Sequence, residues 1–143
     1  MTSIGDSAFC GCSGLTSITI PNSVTSIYES AFSGCTNLTS ITIPDSVTSI
    51  WREAFDASTH VEVDPNNPVI KDCGGAIFEG TALLHVNRDV KSVTIPDGVT
   101  SIDDNAFSGC TNLTSITIPD SVTSIGARAF SDCTSLANII IPN

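Results

Sequence analysis

Eighteen residues, SGCTNLTSITIPDSVTSI, run from Ser33 to Ile50 and return letter for letter from Ser108 to Ile125. Partial copies flank them: CGCSGLTSITIPNSVTSI at Cys10–Ile27 and SDCTSLANIIIPN at Ser131–Asn143. Aligned on their Thr-Ser-Ile triplets, the copies begin at Thr2, Thr25, Thr48, Thr100 and Thr123, at spacings of 23, 23, 52 and 23. A unit of 23 residues cannot bury an apolar face on its own. Stacked on copies of itself it builds one continuous core, and this makes the chain a solenoid.

Within a unit the pattern is legible. In Leu38–Pro44, apolar residues alternate with hydroxyl residues, as in a strand with one buried face. Ile41 and Ile43 point inward, Ser40 and Thr42 outward. Pro44 has no N–H for a ladder and ends the strand, and Asp45-Ser46 turns the chain. Val47 and Ile50 re-enter the core. Ile27, Ala31, Phe32 and Cys35 then fall at near-helical spacing, which predicts a short helical turn that stops at Gly34.

The long interval holds the irregular sequence. Val61-Glu62-Val63 reads as a shortened strand, and Val90–Asp97 restores the template. Strand ends then fall at Ile20, Ile43, Val63, Ile95, Ile118 and Ile141, so the expected sheet has six short parallel strands. Residues 64–90 form an insert inside one repeat. It carries a turn cluster, Asp64–Pro68, and two apolar runs around Glu79-Gly80-Thr81 that predict a β-hairpin in place of the helical turn, packed on the solenoid flank. The fold class is an α/β, β-rich solenoid occupying residues 1–143 as one domain.

The unit Ala-Phe-x-x-Cys-x-x-Leu-x-x-Ile-x-Ile-Pro-x-x-Val-x-x-Ile resembles the Treponema pallidum-type, or BspA-like, leucine-rich repeat. Its Ala-Phe pair recurs at Ala8, Ala31, Ala54, Ala106 and Ala129. The resemblance covers essentially the whole chain and implies a leucine-rich repeat superhelix. Ser23, Ser46, Gly98 and Ser121 stand where many leucine-rich repeats carry Asn. The resemblance also implies an extracellular or cell-surface protein of bacterial or protozoan type, with roles in adhesion and host contact.

Charge narrows the partners. Fifteen acids stand against five bases, a net charge of −10, which argues against nucleic acid, whose binding relies on Lys and Arg neutralising phosphates. No apolar run approaches the ~20 residues a membrane-spanning helix requires. The opening MTSIGDSAF is no secretory signal. It already lies within a repeat, and IIIPN stops within one, so the chain reads as a piece of a longer protein. On that reading, end-to-end self-association through uncovered terminal coils is expected.

Four sets of residues are candidates for chemistry. Cys12, Cys35, Cys110 and Cys133 share one repeat position and read as a ladder of buried free thiols. Ser58 is their counterpart in the third repeat, and Cys10 and Cys73 lie off the ladder. Cys10-x-Cys12 lacks the second half of a zinc site, and the turn residues Asp45, Asp97 and Asp120 supply too few ligands for calcium, so neither metal nor cofactor is expected. The outward sheet columns place Ser40, Thr42, Ser92, Thr94, Ser115 and Thr117 on one hydroxyl-rich face, interrupted by His60 and Glu62. Tyr28 and Trp51 occupy equivalent positions in adjacent repeats and read as an exposed aromatic contact, with Glu29 and Arg52 beside them as a pair.

No nucleophile–base arrangement supports catalysis. The expected function is therefore a non-enzymatic binding scaffold that contacts a protein ligand, such as a host surface or matrix protein, through its sheet face. Glycan sites generally use aromatic platforms, and the sheet columns contain none. The alternative is a structural spacer that displays other domains. Where the template fails, between Trp51 and Lys91, selectivity for a partner is expected to reside.

Overall fold

The computed structural model describes residues 1–142. Twelve strands follow one another: β1 (Ser3–Ile4), β2 (Ser26–Ile27), β3 (Ser40–Ile43), β4 (Ser49–Ile50), β5 (His60–Val63), β6 (Ile70–Cys73), β7 (Ala76–Glu79), β8 (Ala82–Val86), β9 (Ser92–Thr94), β10 (Ser101–Ile102), β11 (Ser115–Thr117) and β12 (Ser124–Ile125). A regular coil passes through a strand ending near a proline, then through a Thr-Ser-Ile strand, then through a run of turns. The expected solenoid is present, with β3 parallel to β5, and β9 parallel to β11. Inside the strands the alternation holds, with Ile41 and Ile43 buried and Ser40 and Thr42 exposed.

The sheet differs from the six-strand expectation. Residues 15–20 of the first coil form no strand, and the last coil contributes a single bridge, Thr117 to Ile140. Ile140 and Ile141 are 78% and 62% exposed, because within this chain no further coil packs against them. The ladder is also broken in the middle, since no pairing joins β5 to β9. The Thr-Ser-Ile triplets, by contrast, form a second parallel column, β1–β2–β4 in one half and β10–β12 in the other, where β8 of the insert takes the triplet's place beside β10.

No helix is present among the described residues. The segments expected to be helical are successive turns, and their hydrogen bonds explain why. Ala8, Cys10 and Cys12 donate three residues back, to Gly5, Ser7 and Phe9. The intervening N–H groups of Ser7, Phe9 and Gly11 donate instead to Glu29, Ala31 and Ser33 of the next coil. A helix needs every N–H within its own segment, so this alternation excludes one. Ser30 and Gly34 break the run further, with φ of 57° and 74°. The near-helical spacing of Ala31, Phe32 and Cys35 therefore reports a tight coil and no helix.

The insert contains one strand more than expected. β6, β7 and β8 form an antiparallel meander. The expected hairpin about Gly80-Thr81 joins β7 to β8, and Gly74-Gly75 joins β6 to β7. Gly75 has φ +93°, and a Cβ there would lie 2.5 Å from Val90 Cγ2, so no other residue suits the turn. The hairpin is part of the wall and does not merely rest on its flank, because Ala82 and Leu83 align with Ser101 and Ile102 in parallel register.

The apolar core is divided at this meander. One cluster extends from Ile4 to Ile77 and another from Ala76 to Ala129. Successive residues of β7 serve both: Ile77 packs in the first, Ala76 and Phe78 in the second. Opposite faces of a strand alternate with period two, so a single strand seals two cores. Stacked phenylalanines run through each half, Phe9–Phe32 at 5.3 Å and Phe32–Phe55 at 6.1 Å, then Phe107–Phe130 at 4.8 Å.

Candidate functional site

The broken ladder is bridged by side chains. Asn87 lies 23 residues before Cys110 and occupies the cysteine column of its coil. It is buried, accepts from Val61 N–H at 2.8 Å and donates to Val61 C=O at 3.0 Å. One amide thus stands in for the missing strand pair. Asn67 acts similarly at the turn after β5. Its Nδ2 donates to Pro44 and Val47 carbonyls, and its Oδ1 accepts from Val69 and Ile70 N–H. Thr59 donates to Leu38 C=O at 3.1 Å, and His85 Nε2 bonds Thr59 C=O at 3.0 Å. These four, Thr59, Asn67, His85 and Asn87, are the buried polar residues among those described, and all belong to the irregular interval. Asn87 and Asn67 satisfy backbone groups of neighbouring segments inside the core, which would otherwise be buried without partners.

Burial controls the titration of this interior. It pushes the His85 imidazole down to about 4, against the Thr59 carbonyl contact that favours the proton. His85 is therefore neutral near pH 7, and as a neutral ring its Nε2 carries the hydrogen donated to Thr59. Burial likewise pushes Glu79 up, although Ile50 N–H donates to its carboxylate at 3.2 Å.

The sheet face carries the expected residues in two pairs of columns. Ser40 and Thr42 align with His60 and Glu62, and Ser92 and Thr94 with Ser115 and Thr117. His60 is half-buried and the others are exposed. The break between β5 and β9 separates the two groups, so they do not form one uninterrupted face. His60 sits at the break, its Nε2 3.8 Å from Glu62 and its Nδ1 3.8 Å from Asp89. Asp89 is not marked by the repeat, because its position follows only from the way the insert returns to the template.

Tyr28 and Trp51 are brought together, with ring centroids 5.5 Å apart and planes 22° from parallel, but Tyr28 is half-buried and only Trp51 is exposed. Arg52 does not pair with Glu29. It reaches past the insert to Asp104 at 3.6 Å, because the turn after β4 faces the turn after β10. The same approach lets Asn105 donate to Glu53 at 2.6 Å. Between these two turns lies a cleft of about 340 Å³, with Leu84 and His85 among its lining residues and Trp51 at one wall. No sheet-face column residue lines it. Asp56 also borders the cleft. Burial opposes its charge, but the Ser58 hydroxyl and N–H outweigh that and hold the carboxyl below its ordinary value.

The thiol ladder is buried only in its inner members. Cys35 and Cys110 are fully buried, Cys133 is half-buried and Cys12 is exposed, because an outer coil is covered on one side alone within this chain. Cys35 donates to Phe9 C=O at 3.0 Å and Cys133 to Phe107 C=O at 3.1 Å. All six thiols are free, and burial pushes Cys110 up to about 12. Among the described residues no group of three or more His, Cys, Asp or Glu side chains is placed to hold a metal ion, and no helix is long and apolar enough to cross a membrane.

Comparison with known proteins places this geometry. The signature described as a BspA type leucine rich repeat region matches residues 1–89 and 85–143, in six copies. A leucine-rich cell surface protein of Faecalibacterium prausnitzii is 34% identical, with a TM-score of 0.86 over 99% of this chain and 39% of its own. The pneumococcal vaccine antigen PcpA is 26% identical, with a TM-score of 0.88 over 100% of this chain and 38% of its own. A leucine-rich repeat protein of T. pallidum is 25% identical, with a TM-score of 0.51 over 89% of this chain and 59% of its own. The chain thus spans less than two thirds of the length of each. Curated proteins yield no match.

Proposed function

We infer the function from one premise: the chain belongs to the BspA-type leucine-rich repeat family, whose signature spans it from end to end. It acts as a non-catalytic binding scaffold at a cell surface or in the extracellular space, and its sheet face contacts a protein ligand. The location is supported by the likeness to a bacterial cell surface protein and a vaccine antigen.

The observation that carries the binding reading is the charged cluster at the break in the hydroxyl face. Glu62 and Asp89 flank His60 between columns that otherwise carry Ser and Thr. Hydroxyl columns offer many equivalent weak contacts and no preferred register. Two carboxylates and an imidazole at one point supply that register and favour a ligand with a basic patch. The open surface around His60 lacks the enclosed nucleophile–base geometry that catalysis requires.

The test is replacement of the interruption by the template, His60→Ser with Glu62→Thr. Binding to a panel of purified extracellular-matrix proteins is measured by surface plasmon resonance at low and high salt. The double variant is expected to lose about tenfold in affinity for any ligand of the parent chain, with a shallower salt dependence. Unchanged affinity and salt dependence would remove the sheet face from the account and favour a spacer role.

A further inference from the structure

The cleft beside Trp51 lies apart from the sheet face, and we propose that it is a glycan site. It takes a neutral pyranose whose C–H face lies on the Trp51 indole and whose hydroxyls bond Glu53, Asp104, Asn105 and Arg128.

The first support is the indole itself. Trp51 is 52% exposed at the cleft wall. Tyr28 stacks behind it at 5.5 Å, which fixes the plane it presents. An indole offers a broad apolar face with a polar N–H at its edge. A face held in place before binding loses little freedom when a ligand arrives.

The second support is the wall chemistry. Glu53 is oriented by the Asn105 amide at 2.6 Å. Asp104 is oriented by Arg52 at 3.6 Å and by Ala127 N–H at 2.7 Å. A carboxylate has about four acceptor positions, so both retain free ones. Arg128 and the Asn105 amide add donors on the same lining. Fixed planar acceptors alternating with donors match a ligand whose hydroxyl groups each give and accept a hydrogen bond.

The third support is charge. Of the charged lining residues, Glu53, Asp56 and Asp104 are opposed by Arg128, and Arg52 pairs with Asp104 from outside the lining, so the cleft is mildly acidic. That disfavours an anionic sugar and gives a polycationic peptide little to gain. The cleft volume of about 340 Å³ falls within the range typical of small-ligand sites, about 300–1,000 Å³. The sheet face offers no aromatic surface, so the protein reading there and the glycan reading here stand independently.

The chain contains one tryptophan, so its emission reports on this wall alone. The whole chain is titrated separately with tri- and tetrasaccharides of glucose, galactose, mannose and N-acetylglucosamine. At least one series is expected to shift Trp51 emission saturably, with a dissociation constant in the micromolar to millimolar range. By calorimetry, Trp51→Ala should weaken that sugar about tenfold and Trp51→Phe should retain most of the affinity. Asn105→Ala should weaken it with the circular dichroism spectrum unchanged. Absence of a saturable shift in all four series would overturn the proposal. So would Trp51→Ala binding as tightly as the parent, or a response to oligolysine alone, which would assign the cleft to a cationic peptide.

Discussion

Asn87 offers a substitution for which the repeat pattern and the structure predict opposite results. Aligning the coils places Cys35, Cys110 and Cys133 in the same column as Asn87. Asn87→Cys therefore restores the repeat template, and consensus replacements of this kind commonly stabilise by about 0.5–2 kcal/mol. The structure predicts a loss. Asn87 satisfies both the N–H and the C=O of Val61, at 2.8 and 3.0 Å, inside the core. A thiol can donate to the carbonyl, as Cys35 does to Phe9 at 3.0 Å, but it is a poor acceptor for the N–H. A buried group left without its partner costs about 1–3 kcal/mol. With the weakened second bond added, the loss comes to about 2–4 kcal/mol, against a total stability of about 5–15 kcal/mol. Because the two core clusters meet here, the same change should loosen their coupling and broaden or split the urea transition. Equilibrium urea unfolding of parent and variant measures both effects. A variant within about 0.5 kcal/mol of the parent, with an unchanged single transition, would refute the bridging role of Asn87.

His85 should make the fold sensitive to acid. Its folded value is about 4 and its unfolded value about 6.5, so the unfolded chain takes up the proton first. The contribution is complete above about pH 6.5 and falls by about 3 kcal/mol as pH drops to about 4. Urea unfolding at several pH values should show this excess loss in the parent relative to His85→Phe, and parallel profiles would contradict it. Gly75→Ala should destabilise by more than about 1 kcal/mol, by thermal melting, because φ is +93° and the new methyl meets Val90. Cys10, Cys12 and Cys73 should react promptly with a thiol reagent, and Cys35 and Cys110 only on unfolding; six equally fast thiols would contradict the buried ladder. Exposed Ile140 and Ile141 should produce concentration-dependent association in light scattering, removed by Ile140→Lys.

Repetition made the coil legible. Alternation in Leu38–Ile43 identified the buried face, Pro44 its end, and Gly80 the hairpin. The errors have a common origin. Ala31, Phe32 and Cys35 match a helical period, but their N–H groups are shared between the segment and the next coil, and a single unit cannot reveal such sharing. The pairing of Arg52 failed because the residue aligned with it lies in the preceding coil, while Asp104, 52 positions away, faces it across the insert. Asn87 was accessible in principle, since a polar residue in a column of buried cysteines signals a changed backbone partner. The cleft was not, because it arises from how far the meander separates two turns.

Hydrogen exchange of the chain bound to the tightest-binding matrix protein of the panel locates the contact on the solenoid. Recognition at the point where the repeat fails predicts new protection concentrated in His60–Val63 and Asn87–Lys91, with little change at Ser115–Thr117. Protection spread evenly along the hydroxyl columns, or absent from both segments, would contradict it.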